Sequence, residues 1–381
     1  MPIEIRAKGL PTYPIDTVRA HQGPYYGGLF PAPGEKVDVE PGVLEAAARA
    51  HEAAGYDSIL VPQANAAGDV WTTAAWALAA TRRIRIAAAH RVGLQLPTQA
   101  AKAYANLHAL SGGRAAVHMI QGNEDDLRRE GEFLDKKSRY RRSGEYLEIF
   151  HRSLHGAEPF DFQGEFYAVQ GAWLSTRLPA APVISLSGAS PQGIALAARY
   201  ADVYGLYSLP LQQTRQTLQT LRSAAAAHGR TIRFWRDSNF ILADTDEQAW
   251  RLARSLADQL RQRLAGGNAP FPRRAAPAST GHQLIVAAAA AGEQHDRALF
   301  TGISQLRNGW GPAFVGSPET AAAAVLDYYE LGVEAFSLGL PQATPHDLAL
   351  RDELIARLRA GAVAIDARHG ASSQAPTSSL S

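Results

Sequence analysis

The stretch Pro182–Tyr200, PVISLSGASPQGIALAARY, carries the densest chemistry of the chain. An apolar run ends at Ser187, the small residues Gly188, Ala189 and Ser190 make a turn, and Pro191 opens an alanine-rich helical period. Such a turn aims backbone N–H groups and hydroxyls at one point, where the positive end of a helix favours an anion. A phosphate there would be met by amides and by Ser187 or Ser190; the same residues also read as a serine cap on a packing helix. A second group closes the run Ala115–Ile120, where His118, Gln121, Gly122 and Asn123 could hydrogen-bond the polar edge of a flat heteroaromatic ligand. Arg139 and Tyr140 follow at a helix start and could reach a phosphate or a polyol chain, one as a fork and the other as a neutral donor. The intervening charges Asp125–Arg129 read as a solvated face.

In IRFWRDSNFIL, alternation puts Trp235, Asp237 and Asn239 on one face of a strand and residues 234, 236 and 238 on the other. Facing an enclosed mouth, the first set gives an aromatic wall, a carboxylate and an amide; facing outward, it packs under helices. The pattern leaves both open. In RNGWGP, glycines flank Trp310, so Arg307 and Trp310 could close over an anionic or flat ligand, or Trp310 could staple a structural turn. The clustered glycines within a long insertion favour the lid. The 12 histidines show no HxH or HExxH spacing, so no metal site is expected, and no GxSxG elbow marks a serine hydrolase. With no cysteine, the chain has no disulfide, thiolate nucleophile or iron–sulfur ligand; a redox enzyme built on it must carry its electrons on a cofactor.

The elements that must position these groups follow a simple alternation. β-prone runs at Ile3–Ala7, Ser58–Pro62, Ile84–Ala89, Ala115–Ile120, Val183–Ser187, Val203–Leu206, Phe234–Leu242 and Ala335–Leu338 are each followed by a segment of helical period. Helices are expected at Pro41–Ala54, Val70–Thr81, Thr98–Leu110, after Tyr140, and at Pro191–Tyr200, Leu211–His228, Glu247–Leu264, His282–Phe300, Pro318–Leu331 and Asp347–Leu358. Eight strands that are nearly continuous in apolar residues predict an α/β fold, a (β/α)8 barrel; no early GxGxxG turn supports an open dinucleotide-binding sheet. One barrel is expected over residues 1–362, with insertions at about 11–40, 121–138, 156–182 and 266–315 and a disordered tail at 363–381. FDFQGEFYAV reads as a hairpin turning at Gln163-Gly164.

Composition narrows the partners. The 381 residues are 46% hydrophobic, and 38 Lys and Arg against 36 Asp and Glu leave a net charge of +2, without the basic field of a nucleic-acid binder. No run approaches the roughly 20 apolar residues of a membrane helix, and the opening MPIEIRAKGLPTYPI does not read as a signal peptide, so a cytoplasmic protein with a small-molecule substrate is expected.

Over residues 40–362 the chain resembles the bacterial luciferase-like flavin monooxygenases, in their alkanesulfonate monooxygenase branch. The resemblance is carried in order by GYDSILVPQANAAGDVW, LPTQAAKAYANLHALSGGRAAVHMIQGNE, FLDKKSRY, FDFQGEFYAV, LSGASPQGIALAARYADVY, AHGRTIRF, DTDEQAW and GPAFVGSPETAAAAVLDYYELGVEAFSLGLP. It implies a (β/α)8 barrel that takes reduced FMN from a separate NAD(P)H:flavin reductase, activates O2 and cleaves C–S bonds, in a homodimer or homotetramer. By resemblance, His118, Gln121, Gly122 and Asn123 line the flavin ring, Arg139, Tyr140 and Ser187–Ser190 hold its phosphate, and Arg307 belongs to a mobile loop. Asp237 and Asn239 stand where the alkanesulfonate enzymes have Arg and His, Leu340 where they have Tyr, Ala67 where they have Cys, and Leu127 in place of an acidic residue. Asp237, as a base or charge partner, is then expected to repel a sulfonate and favour a neutral or cationic substrate, with Asn239 orienting the reactants. A deazaflavin-dependent hydride-transfer enzyme of the same superfamily and a flavin-binding barrel without turnover are the alternatives.

Overall fold

A computed structural model describes residues 2–15, 31, 34–64, 67–122, 124–267 and 279–373. Eight parallel strands close a ring: β1 (Glu4–Lys8), β2 (Ser58–Val61), β3 (Arg85–Arg91), β4 (Ala115–Ile120), β7 (Ile184–Ser187), β8 (Val203–Leu206), β9 (Arg233–Leu242) and β13 (Ala335–Gly339), the last pairing with both β9 and β1. The expected strands are all present, and the fold is a (β/α)8 barrel. Each strand forms because its outward side chains (Ile5, Ile59, Ile86, Val117, Leu186, Tyr204, Phe234 and Phe336 among them) are buried under the surrounding helices.

Those helices are α1 (Pro41–Ala53), α2 (Val70–Ala80), α3 (Pro97–Leu110), α4 (Glu124–Arg129), α5 (Lys136–His155), α6 (Pro191–Tyr200), α7 (Leu211–Ala226), α8 (Asp246–Ala265), α9 (Thr280–Ala291), α10 (Gly302–Leu306), α11 (Pro318–Glu330) and α12 (Pro345–Ser373). Side-chain caps fix several starts: Asp69 for α2, Asp135 for α5, Ser190 for α6, Thr245 in a full capping box for α8, and Ser279 for α9. The Asp135 cap starts α5 ahead of Tyr140, so Arg139 and Tyr140 lie inside the helix rather than before it.

Four expectations change. The helix predicted over His282–Phe300 stops at Ala291, and the short strands β10 (Gln294–His295) and β11 (Leu299–Phe300) lead toward β12 (Ala313–Gly316), which pairs in parallel with Phe240–Leu242 of β9. Asn239 is matched at once to Gly339 and Ala313, so β12 flanks β9 on the edge opposite β13. The hairpin β5 (Phe160–Gln163) and β6 (Ala168–Ala172) turns through residues 164–167, not a two-residue turn, because the Glu145 carboxylate accepts from the amides of Glu165, Phe166 and Tyr167. The terminal helix continues past 363 to Ser373: Ala362 and Ile365 are buried, Tyr329 donates to Asp366 and Arg368 pairs with Glu330. Finally, the run Asp125–Arg129 is solvated only in part: Arg128 and Arg129 are exposed, but Asp126, with Glu130 beyond it, pairs with buried Arg91 at the end of β3, and Leu127 is buried.

Candidate active site

The register and the pleat together place Glu4, Arg6 and Lys8 of β1, Ser58 of β2, His118 of β4, Ser185 of β7 and Trp235, Asp237 and Asn239 of β9 inside the barrel. The alternative left open for β9 is thereby decided: its odd-numbered side chains face inward. Their even-numbered neighbour Arg236 is fully buried on the other face, its guanidinium against the Phe314 and Tyr328 rings.

The interior is layered. At the bottom, Glu4 accepts from Arg6 at 2.9 Å, Ser58 at 2.6 Å and Arg85 at 2.7 Å. Burial alone would raise its pKa, but Arg6 and Arg85 pull it down to about 2. Above lies Trp235, with the Arg6 guanidinium 4.9 Å from its ring, its indole N–H donating to Ser185 Oγ at 3.2 Å, and the His118 ring edge-on at 5.3 Å. His118 Nδ1 meets the same hydroxyl at 2.8 Å. Burial, then the Arg6 charge, lowers the His118 pKa to about 3, so the ring is neutral. Trp235, which the sequence offered as an aromatic wall if it faced inward, is 5% exposed and forms the floor.

On this floor stands a charge pair. Lys8 Nζ donates to Asp237 and to Asn239 Oδ1, each at 3.0 Å, and Asn239 Nδ2 donates to the Pro312 carbonyl at 3.0 Å. Asp237, read from the sequence as a base or charge partner, is paired here with Lys8, which balances its charge. Asn239 is held at both ends of its amide, which ties β9 to the segment after Trp310. Lys8 was not anticipated, although the alternation of charged Glu4, Arg6 and Lys8 with apolar Ile5 and Ala7 marks an inward polar face once a barrel is assumed.

Across the mouth, the turn after β7 is built as a cradle. Ser190 Oγ accepts the Gly193 amide at 3.2 Å and donates to Tyr140 Oη at 2.8 Å, and Tyr204 donates to the Gly188 carbonyl at 2.9 Å. Gly188 has φ of +142°, and a Cβ on it would stand 3.4 Å from Gly193 Cα and 3.6 Å from Tyr140 Oη, filling the space between the turn and Tyr140. Tyr140 and the Ser187–Ser190 turn are thus brought together. Arg139 is engaged elsewhere, donating to the Leu134 carbonyl at 2.6 Å and lying 3.7 Å from Glu124. Gln121 is held by Ser143 at 3.0 Å, Gly122 packs against Arg91, and Asn123 lies outside the described residues.

Between the turn after β7 and the Arg307–Pro312 segment runs a chain that sequence reasoning missed. Tyr207 Oη and Ser279 Oγ are 3.2 Å apart, Ser279 Oγ is 2.8 Å from His282 Nδ1, and the His282 ring lies 4.3 Å from Trp310. Trp310 is 47% exposed. Arg307 ends α10 in the same segment, with Nη1 beside Gly311. Among the described residues no cluster of three metal-ligating side chains occurs, and no helix is long and apolar enough to cross a membrane.

A family profile described as luciferase-like monooxygenase matches residues 27–335, and the chain belongs to this family. Similar solved structures include an EDTA monooxygenase from Chelativorans sp. BNC1, 16% identical with a TM-score of 0.69, covering 97% of this chain and 95% of that one. A riboflavin lyase solved with modified FMN and riboflavin is 16% identical, with a TM-score of 0.69 over 94% of this chain and 92% of that one. An F420-dependent secondary alcohol dehydrogenase is 17% identical, with a TM-score of 0.63 over 94% of this chain and 99% of that one. At these identities the likeness is one of fold.

Proposed function

We propose that the protein is the oxygenase component of a two-component flavin monooxygenase, using reduced FMN from a separate NAD(P)H:flavin reductase to oxidise a small organic molecule, organosulfur compounds included. The observation carrying this reading is the cradle of Gly188, Ser190 and Tyr140 at the N-terminus of α6, facing a mouth with a neutral charge pair. Hydroxyls of Ser187, Ser190 and Tyr140 together with the amides of the turn suit the phosphate of FMN, and the space that a Gly188 Cβ would fill is left for it. When bound, FMN supplies the oxygen chemistry. The chain's residues bind and orient: Tyr140 and the serines fix the phosphate, the Lys8–Asp237 pair meets the substrate, and the Arg307–Pro312 segment with Trp310 excludes water from the mouth.

Anaerobic titration of the purified chain with reduced FMN tests the reading; saturable binding, followed by O2-dependent turnover of a substrate panel, is the expected result. Absence of binding would sink it. Because an F420-dependent dehydrogenase shares the fold, the same titration with reduced F420 is the discriminating control; tighter binding of the deazaflavin would reassign the chain to hydride transfer.

A further inference from the structure

We propose that Lys8 is a specificity-determining residue and that, with Asp237, it selects substrates presenting a neutral amide-like edge, an acceptor beside a donor, over sulfonates, amines and amino acids. The proposal rests on reading the barrel mouth as the substrate site. Its geometry is built by three adjacent strands in the order β9, β13, β1. Lys8 must cross β13 to reach β9, and it does so over Gly339: a Cβ there would stand 2.9 Å from Lys8 Cδ and 2.5 Å from Asn239 Oδ1. Lys8 Nζ then lies 2.9 Å from Asp237 Oδ1, with the two side chains 29% and 38% exposed, in contrast to the buried Trp235, His118 and Arg6 beneath them.

The chemistry follows from hydrogen-bond inventory. An ammonium has three N–H donors and a carboxylate about four acceptor sites. Both Asp237 oxygens, 2.9 and 3.0 Å from Nζ and adjacent on one carboxylate, take one direction of the ammonium and Asn239 Oδ1 a second, leaving Lys8 a donor and Asp237 its outer lone pairs, side by side on a pair with no net charge. A sulfonate would gain one donor from Lys8 while facing the Asp237 carboxylate; an alkylammonium would face the reverse. A zwitterion would have to draw the pair apart to use both charges. An amide bridges the two without separating them, its carbonyl accepting from Lys8 and its N–H donating to Asp237.

The test is calorimetric, with hexanamide, hexanesulfonate, hexylamine and α-aminohexanoate titrated into the protein with and without FMN. The amide is expected to bind about tenfold tighter than the other three, a difference of about one charge-assisted hydrogen bond. Lys8→Met should erase that preference, and Asp237→Asn, which keeps the shape and leaves Lys8 uncompensated, should shift it about tenfold toward the sulfonate. The dissociation constant of FMN, followed by its fluorescence, should stay within about twofold in both variants, since the cradle lies on other strands. Tighter wild-type binding of the sulfonate, amine or amino acid overturns the proposal, as does no ranking in either form, an unchanged ranking in Lys8→Met or no gain of sulfonate binding in Asp237→Asn. Failure of reduced FMN to bind the wild type anaerobically would instead overturn the flavin reading, while the ranking on flavin-free protein still decides the role of Lys8.

Discussion

Gly309 lies against the carbonyl of His282, so closely that a Cβ on it would stand 2.4 Å from that oxygen. Its φ of +91° is also one that side chains disfavour. The glycine therefore seats the Arg307–Pro312 segment on α9, and the contact holds Trp310 over His282. Gly309→Ala is expected to unseat the segment and expose Trp310 further, at a stability cost of about 1–3 kcal/mol from crowding and strain. Red-shifted tryptophan emission and faster proteolysis between 300 and 315 would report it; an unchanged proteolysis pattern would show that the segment is held by other contacts.

The Ser190–Tyr140 hydrogen bond carries the cofactor reading, and two substitutions separate its roles. Tyr140→Phe removes one hydroxyl from the cradle and leaves the cap of α6 in place, so FMN affinity should fall about tenfold with little change in thermal midpoint. Ser190→Ala removes both the cap and a cradle hydroxyl, so it should weaken FMN and also cost about 1 kcal/mol of stability. Equal FMN affinity in wild type and Tyr140→Phe would place the phosphate elsewhere.

The barrel was readable because the outward faces of its strands are mainly apolar, Arg236 and Ser238 of β9 being exceptions, and strands of that kind have little choice but to be covered by helices. The cradle was readable for a local reason, since Ser190, Pro191 and the following alanines encode a cap and a helix start in consecutive positions. Lys8 was not, because its partners are 229 and 231 residues away and its path depends on the absence of a side chain at Gly339. Arg91 with Asp126 and Glu130, and the chain from Tyr207 through Ser279 to His282, likewise join segments whose proximity only barrel closure creates. Short strands such as β10 and β11 are set by their neighbours rather than by their own two residues, and periodicity has nothing to read there.

Gly205 and Trp235 test the floor. A Cβ on Gly205 would come within 2.9 Å of the indole, which is itself bounded by Ser185, Arg6 and His118. Gly205→Ala should force the ring upward and destabilise the barrel by about 1–3 kcal/mol. Chemical denaturation measures the loss. If the variant is as stable as the wild type, the ring has room to move and the floor is softer than the packing implies.

The pH dependence of stability follows from the same floor. His118 is neutral in the folded protein, burial having lowered its pKa to about 3 against an ordinary 6.5. Unfolding therefore takes up a proton between those values, and stability must fall as the pH drops from 6.5 toward 3, with a slope approaching about 1.4 kcal/mol per pH unit for the one group. His51 and His90, lowered by burial to about 4, add to the slope in the upper part of that window. Glu4 acts lower, its stabilising charge being lost as the pH falls from 4.5 through about 2. Replacing His118 with Gln keeps a hydrogen-bonding group near Ser185 but removes the titration, so the variant's denaturation free energy should decline less steeply between pH 6 and 4 than that of the wild type. Parallel declines would mean that His118 already carries a proton in the folded state, and that the interior beneath Lys8 and Asp237 is more polar than its burial allows.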